Sequence, residues 1–492
     1  MNSFPILTLM ILCPALALVL TLIIPGRNTR AIKVANALCG LASVVLAVLI
    51  WVGYDQRVGG YQMLEDIAWV PTFGIHYTVA VDGAGVVLNL LTALVFFTGV
   101  LSMWHLDKRV KEYFAFMATL VFGVFGVFCS LDIVAFFFFY EVAVLPMYPL
   151  IAIWGSTRKE YSAMKLTLYL MAGSALLFPG LIALQIHGGI GNWNIVELAA
   201  SGNFGPEFQI FIYPFLYVGF GILAGMFPFH GWSPTGHVAA PTAVSMLHAG
   251  VLMKLGAFGI FRIAMTILPD GAAYWAPTFA VFATIGIVYG AFVAMRQNDF
   301  KFVIGFSSVS HMGIVLLGLN IWAMGGDAAQ TALDGALFQM FAHGIMTALF
   351  FSSVGFIYDQ THDRDIRHFG GLVSQVPLAG SFFIMAALCG MGVPGFASFW
   401  AELLVFIAAI RQFPVMGVAA IIGLVFTAAY ILRVFGKAMF GPRNPDWENL
   451  KDIRVGSIDI WPRAILLAVL ILFGLYPNLM LDMIRSAVSG GL

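Results

Sequence analysis

Three ionisable residues stand inside long apolar runs of this sequence. Glu141 lies in Phe136-Phe137-Phe138-Phe139-Tyr140-Glu141-Val142, Lys254 in Gly250-Val251-Leu252-Met253-Lys254-Leu255-Gly256, and Glu402 in Phe399-Trp400-Ala401-Glu402-Leu403. A charge at the centre of a bilayer costs at least ~2.5–3.5 kcal/mol, so such residues mark ion or proton paths by default. The alternative for each is a structural ion pair. Histidines fall among them. His248 stands six residues before Lys254, and His311 and His343 lie near the middle of apolar runs. Six residues span a little under two helical turns, which turns His248 and Lys254 to broadly similar sides. Imidazole titrates near neutral pH and hands a proton along; the alternative is a hydrogen-bonded residue of the interior. Single carboxylate, amine and imidazole groups in a row are the parts of a proton relay, and the candidate path is Glu141, Lys254, Glu402, His248, His311 and His343. His230 and His237 lie at a helix break where they could face water, either as polar loop residues or at a proton entrance. Asp132, Lys165, Asp299 and Lys301 are expected at span ends, as anchors or connections between halves.

The elements that position these groups are transmembrane helices. Hydrophobic residues make up 61% of the 492 positions and charged residues 10%, against about a quarter charged in soluble domains. Polar surface is too scarce to cover a soluble body. The formal net charge is zero, and the lack of a basic excess excludes nucleic acid as an expected partner. Apolar runs long enough to cross a bilayer as helix fall near 4–24, 31–53, 79–103, 112–129, 131–153, 163–186, 208–227, 241–267, 276–295, 301–322, 331–357, 376–410, 414–440 and 461–484. None shows the alternation of a barrel strand, so the fold class is an all-α membrane protein of about fourteen helices. Met1-Asn2-Ser3-Phe4 has no basic n-region, and the first run is expected to be retained as a span. Cys13, Cys39, Cys129 and Cys389 sit in apolar stretches, outside any C-x-x-C pair or Cys/His cluster, and are expected to act as small buried hydrophobes. With no Gly-rich nucleotide loop, haem motif or iron–sulfur spacing, no cofactor or metal is expected on this chain.

Charge placement predicts orientation. Arg27, Arg30 and Lys33 lie between spans one and two, Lys108, Arg109 and Lys111 between three and four, and Arg158 and Lys159 between five and six. Arg296 and Lys301 flank the nine–ten turn, Arg364 and Arg367 follow span eleven, and Lys437, Arg443, Lys451 and Arg454 follow span thirteen. All are odd-numbered connections; the even-numbered ones hold little beyond Arg57, Arg262 and Arg411. The positive-inside rule makes the odd connections cytoplasmic and puts both termini on the outer side. Residues 54–78 and 187–207 are expected as outer surface loops or a small hairpin.

Two spans are interrupted at corresponding places, by Phe227-Pro228-Phe229-His230-Gly231-Trp232-Ser233-Pro234 in span seven and by Gly390-Met391-Gly392-Val393-Pro394-Gly395 in span twelve. Proline removes an N–H and clashes with the preceding turn, and irregular backbone at membrane depth persists only inside protein or around a water cavity. Simple proline kinks are the alternative. Paired breaks five spans apart predict inverted repeats around an ion path. Residues 1–492 then form one membrane domain, with 112–267 and 276–440 as its repeats.

Several segments together resemble a known family. They are Phe229-His230-x-Trp232-x-Pro234-x-x-His237-x-x-Ala240-Pro241-Thr242, Gly250-Val251-Leu252-x-Lys254-Leu255-Gly256, Ser307-Ser308-Val309-Ser310-His311-Met312-Gly313, Gln339-Met340-x-x-His343-Gly344 and Thr427-Ala428-Ala429-Tyr430-x-Leu432-Arg433. Over about residues 80–442 the chain resembles the antiporter-like membrane subunits of NADH:quinone oxidoreductase, complex I, and within them the M subunit, or mitochondrial subunit 4, type. Glu402 after the second break fits that type. The resemblance implies fourteen helices, two inverted five-helix repeats, broken helices seven and twelve, and proton translocation driven by redox chemistry in other subunits. It also implies a multi-pass place in a bacterial inner (plasma) membrane and, as partners, other membrane-arm subunits, sister antiporter-like subunits among them. NADH, FMN, iron–sulfur clusters and quinone are implied in those partner subunits. A homologous cation/proton antiporter or membrane-bound hydrogenase would share the helix layout. One family position departs. Where a seventh-helix lysine pairs with the fifth-helix glutamate, this chain has Leu223, and the aspartate after the break is also replaced, within Ser233-Pro234-Thr235-Gly236-His237. Either another group, such as His248 or Lys165, substitutes as partner of Glu141, or the channel is altered and the subunit mainly transmits coupling.

Overall fold

The computed structural model describes residues 4–201, 203–447 and 455–489. Lys451 and Arg454, two of the charges behind the expected orientation, lie outside the described residues, as do Met1, Asn2 and Ser3. Two helices, α1 (Ile6–Ile23) and α2 (Thr29–Gly53), lead into an antiparallel hairpin of β1 (Gln62–Val70) and β2 (Ile75–Val81). There follow α3 (Gly83–Ser102), α4 (Val110–Cys129), α5 (Ile133–Trp154), α6 (Lys159–Gly188), α7 (Pro206–Ala239), α8 (Thr242–Met265), α9 (Pro269–Arg296), α10 (Phe300–Ala323) and α11 (Ala329–Thr361). α12 comes in two pieces, Pro377–Gly390 and Ala397–Gln412, and α13 (Pro414–Met439), α14 (Ser457–Leu475) and α15 (Asn478–Ser489) close the chain. Among the described residues thirteen helices are long and apolar enough to cross a bilayer, and the two pieces of α12 supply the remaining expected span.

Several sequence boundaries move, the ninth span starting at Pro269 and not near 276, and two of the shifts have clear local causes. The third span starts at Gly83, not near residue 79, because β2 runs to Val81 and the Asp82 carboxylate caps the helix by accepting from Gly85 N at 2.8 Å. The last span stops at Leu475, short of 484. Pro477 has no N–H to continue a helix and disfavours helical backbone at Tyr476. The chain restarts as α15, which buries Met480, Leu481, Met483 and Ile484 and exposes Asp482 and Arg485. The hairpin matches the small hairpin expected within 54–78, and 187–207 contains a short helix, Ile195–Ser201.

α8 and α11 are buried along their whole apolar windows, whereas α1, α2, α6, α13 and α14 are buried along a third. The peripheral helices turn apolar side chains outward, as lipid-facing helices do. The central pair has no lipid contact, so polar groups there meet only protein or water. Close approach of α8 and α11 depends on two glycines. A Cβ on Gly344 would stand 2.6 Å from the Gly250 carbonyl oxygen. Small residues of this kind let membrane helices meet backbone to backbone, and His343 is thereby held against the face of α8 that carries Lys254.

The starts of α5 and α10 are built alike. Asp132 caps α5 by accepting from Val134 N and Ala135 N, and Asp299 caps α10 by accepting from Lys301 N and Phe302 N. Each aspartate also forms an antiparallel bridge to the connection that precedes the next broken helix, Asp132 to Asn194 and Asp299 to Asp365.

Candidate proton path

Both breaks have local causes. In α7, Gly225 takes a left-handed conformation at φ +76° and Pro228 brings no N–H. The Trp232 indole donates to the Ile222 carbonyl at 3.0 Å, satisfying a group the interrupted helix leaves free. In α12, Gly392 and Gly395 take φ of +68° and +101° on either side of Pro394, and the Trp400 indole ties the second piece to α14 through the Gly474 carbonyl at 2.8 Å. α8 is continuous but widens into π-helix at His248–Leu252 and again at Ile260–Met265. π-bulges shift side chains off the α-helical register and are frequent at functional sites. The Lys254 ammonium donates to the Ala249 carbonyl inside the first bulge.

From Lys254 a row of buried groups leads toward α12. Lys254 Nζ is 2.7 Å from His343 Nδ1. The His343 and His311 rings have centroids 5.3 Å apart. His311 Nδ1 is 3.1 Å from Glu402 Oε1, and Gln339 Nε2 lies 3.2 Å from both atoms. Lys254, His343, His311 and Glu402 are each at most 2% exposed. The Nε2 atoms of His311 and His343 and Oε2 of Glu402 have no partner among the described residues. Buried polar atoms are normally paired, by protein or by ordered water, so the row suits water between its side chains. The motif segments converge here as well, since the Tyr430 hydroxyl donates to Ser307 Oγ at 2.7 Å.

On the other side of Lys254, His248 packs against His237 with ring centroids 4.1 Å apart and against Trp232 at 5.0 Å. His230 and His237 do not face water. His237 is fully buried on the second piece of α7 (Trp232–Ala239), and His230 stacks on Phe227 and meets Tyr289 edge-on. The return of the chain after the break folds both rings under α8 and α9. Lys301 is likewise buried and donates to the Ala240 carbonyl at 2.7 Å. Arg364 pairs with Asp299 at 3.3 Å and donates to the Val238 carbonyl at 2.8 Å. Lys301 and Arg364 therefore join α10 and the connection after α11 to the second piece of α7, in line with the expected linking role.

Glu141 stands apart. It is half-buried on α5, and its carboxylate accepts from Ser174 Oγ of α6 at 2.5 Å. Among the described residues it has no ion pair, and Leu223 is buried as an apolar side chain. Lys165 lies beside the first break, near Gly231.

Sequence reasoning missed one buried pair. Arg262 Nη2 is 2.6 Å from Asp82 Oδ1, with 5% and 1% of the residues exposed. Its guanidinium also bonds the Tyr61 hydroxyl and lies 4.9 Å from the Phe258 ring. The available signal was Arg262 itself, an arginine closing the eighth apolar run.

Gly392 fixes the end of the row. A Cβ there would stand 2.8 Å from Glu402 Oε2, in a backbone conformation that L side chains rarely adopt. Gly392→Ala is expected to lose ~1–2 kcal/mol from the left-handed backbone alone and to push the carboxylate off His311. Thermal unfolding in detergent checks the first effect, and unchanged stability would contradict it.

Fold and buried row define the class, a multi-spanning integral membrane protein whose core carries titratable groups. The chain belongs to the NADH:quinone oxidoreductase/Mrp antiporter transmembrane family, whose profile matches residues 130–427. It is 32% identical over 459 residues to NAD(P)H-quinone oxidoreductase chain 4-2 of Synechocystis sp., covering 92% of this chain and 81% of that one. It is also 32% identical over 491 residues to NADH-quinone oxidoreductase subunit M of Rhodobacter capsulatus, covering 96% and 94%. A chain of respiratory complex I from Thermus thermophilus with bound NADH has the same fold, with a TM-score of 0.87 at 22% identity over 99% of this chain and 100% of that one.

Proposed function

We propose that this chain is a proton-translocating membrane-arm subunit of a complex I-type NADH:quinone oxidoreductase, driven by redox chemistry in other subunits. The observation that carries this reading is the continuous buried row from Lys254 Nζ through His343 and His311 to Glu402. Each imidazole takes a proton on one nitrogen and releases it from the other. A proton given by Lys254 arrives at His343 Nδ1, leaves from Nε2, reaches His311 at Nε2 and leaves from Nδ1 to the Glu402 carboxylate. Gln339, touching both His311 and Glu402, holds that last pair in register. The matching caps and bridges of Asp132 and Asp299 support 112–267 and 276–440 as inverted repeats, since an offset of five spans reverses direction across the membrane.

Glu141 has a different part in this reading. Its cation is not supplied by a described residue of this chain, and its half-buried place between α5 and α6 suits a group that senses the charge of a neighbouring membrane subunit, such as a sister antiporter-like chain. NADH, FMN, iron–sulfur clusters and quinone belong to partner subunits. The membrane is a bacterial inner membrane, with the odd connections cytoplasmic and both termini outside. Basic residues on that side support the orientation by closing helix ends, Lys111 on the Leu22 carbonyl at 2.8 Å and Lys159 on the Ile153 carbonyl at 3.0 Å.

Glu402→Gln tests the reading. In the isolated complex, the protons moved per quinone reduced are expected to fall by the share of one channel, with assembly kept. An unchanged ratio would sink the relay. Isolation of the chain with flavin and iron–sulfur subunits is expected; a complex lacking both would make it part of a cation/proton antiporter instead.

A further inference from the structure

The relay described above needs a source of protons, and Glu141 does not touch it. A cavity of about 620 Å³ opens among the ends of α3, α11 and α14, on the face of the basic connections. Titratable side chains line it, among them His105, Asp359, His362, Asp459 and Arg463. Arg463 is anchored on the Ser352 carbonyl at 2.8 Å, and His105 pairs with Asp459 at 3.3 Å. Asp359 is exposed to this cavity and lies within electrostatic reach of Lys301.

Lys301 is the inward neighbour. It is 3% exposed, and its ammonium caps the short helix that carries His237 by donating to the Ala240 carbonyl at 2.7 Å. His237 is within reach of that charge and of Lys254. Its ring touches His248 at a centroid distance of 4.1 Å. All four ring nitrogens of His237 and His248 are buried without a partner among the described residues. Buried polar atoms are normally paired by protein or by ordered water, so the two adjacent imidazoles suit water at their nitrogens, and water so placed can carry protons between them.

We infer that protons reach this chain's relay from the cavity through Asp359 and Lys301, and pass by way of His237 and His248 to Lys254. The inference rests on the relay reading above. In each step one proton leaves a donor and joins the next group. The Asp359 carboxyl, protonated from the cavity, gives its proton to the Lys301 amine. The resulting ammonium gives one to an imidazole nitrogen of His237, and the second imidazole of the pair delivers it to the Lys254 amine. On this route the uptake side does not use the position that Leu223 occupies, and an apolar residue there leaves the row intact.

The test uses the assembled complex in membrane vesicles and reads protons moved per quinone reduced, with complex content followed on native gels. Asp359→Asn is expected to lower the ratio as far as Lys254→Met does, Asp359→Glu to restore it, and Gln360→Ala, beside Asp359 in the same cavity, to leave it unchanged. Asp359 is exposed, so its substitution spares assembly. A normal ratio for Asp359→Asn alongside a lowered ratio for Lys254→Met overturns the uptake route and leaves the relay standing. A normal ratio for Lys254→Met overturns the relay itself, and the route with it.

Discussion

Replacing Lys254 with methionine in the assembled complex is expected to cut proton transfer through this chain by about 100-fold or more, the usual loss when a positioned acid–base group is removed, while leaving the chain at least as stable. The two halves of this outcome have separate causes. Lys254 hands its proton to His343 at the start of the row, and methionine can neither donate nor accept a proton. Yet Lys254 is fully buried and without a carboxylate partner among the described residues, and a buried amine is costly to keep. Methionine fills a similar volume and removes that cost. The proton-to-quinone ratio and the unfolding temperature in detergent give the two readouts together. A lower ratio with a raised or unchanged unfolding temperature fits a functional lysine. A normal ratio with a lowered temperature would make Lys254 a structural residue.

Much of this was legible in the sequence because membrane insertion penalises what it then displays. Glu141, Lys254 and Glu402 stood out as charges in apolar runs, and Pro228 and Pro394 with their glycines marked the breaks. The pairing partners were less legible. The π-bulge at His248–Leu252 alters the angular register of α8, so spacing along an ideal helix could not say that His248 faces His237 while Lys254 faces His343. His237 carried the wrong expectation because a break suggests water, whereas here the chain folds back and buries it. Lys301 was legible as a span-end anchor or connection between halves, but sequence depth does not reveal that it turns inward to Ala240. The start of α3 was misplaced because the end of β2, Val79-Ala80-Val81, is as apolar as a helix, and only Asp82 separates the two.

Asp82 also carries the second large expected effect. Asp82→Ala is expected to destabilise the chain by ~3–5 kcal/mol, because the substitution leaves Arg262 charged and buried with its carboxylate gone. The lost cap on α3 adds about 1 kcal/mol. Arg262 is held from three sides, by Asp82 at 2.6 Å, by the Tyr61 hydroxyl before β1 and by the face of Phe258 within α8. One guanidinium thus fastens the hairpin and α3 to the C-terminal end of α8, roughly two turns beyond Lys254. The remaining contacts to Tyr61 and Phe258 cannot replace a carboxylate, since neither brings a negative charge. Asp82→Asn keeps the cap and an acceptor oxygen, so its loss is expected to be smaller than that of alanine. Combining Asp82→Asn with Arg262→Leu is expected to regain most of the stability, because removing both charges of a buried pair is often close to neutral. Unfolding temperatures of the three variants in detergent order them, with Asp82→Ala lowest and the double variant above it. If the double variant fell below Asp82→Ala, the pair would be stabilising in its own right, and the unpaired charge would not be the cause of the loss.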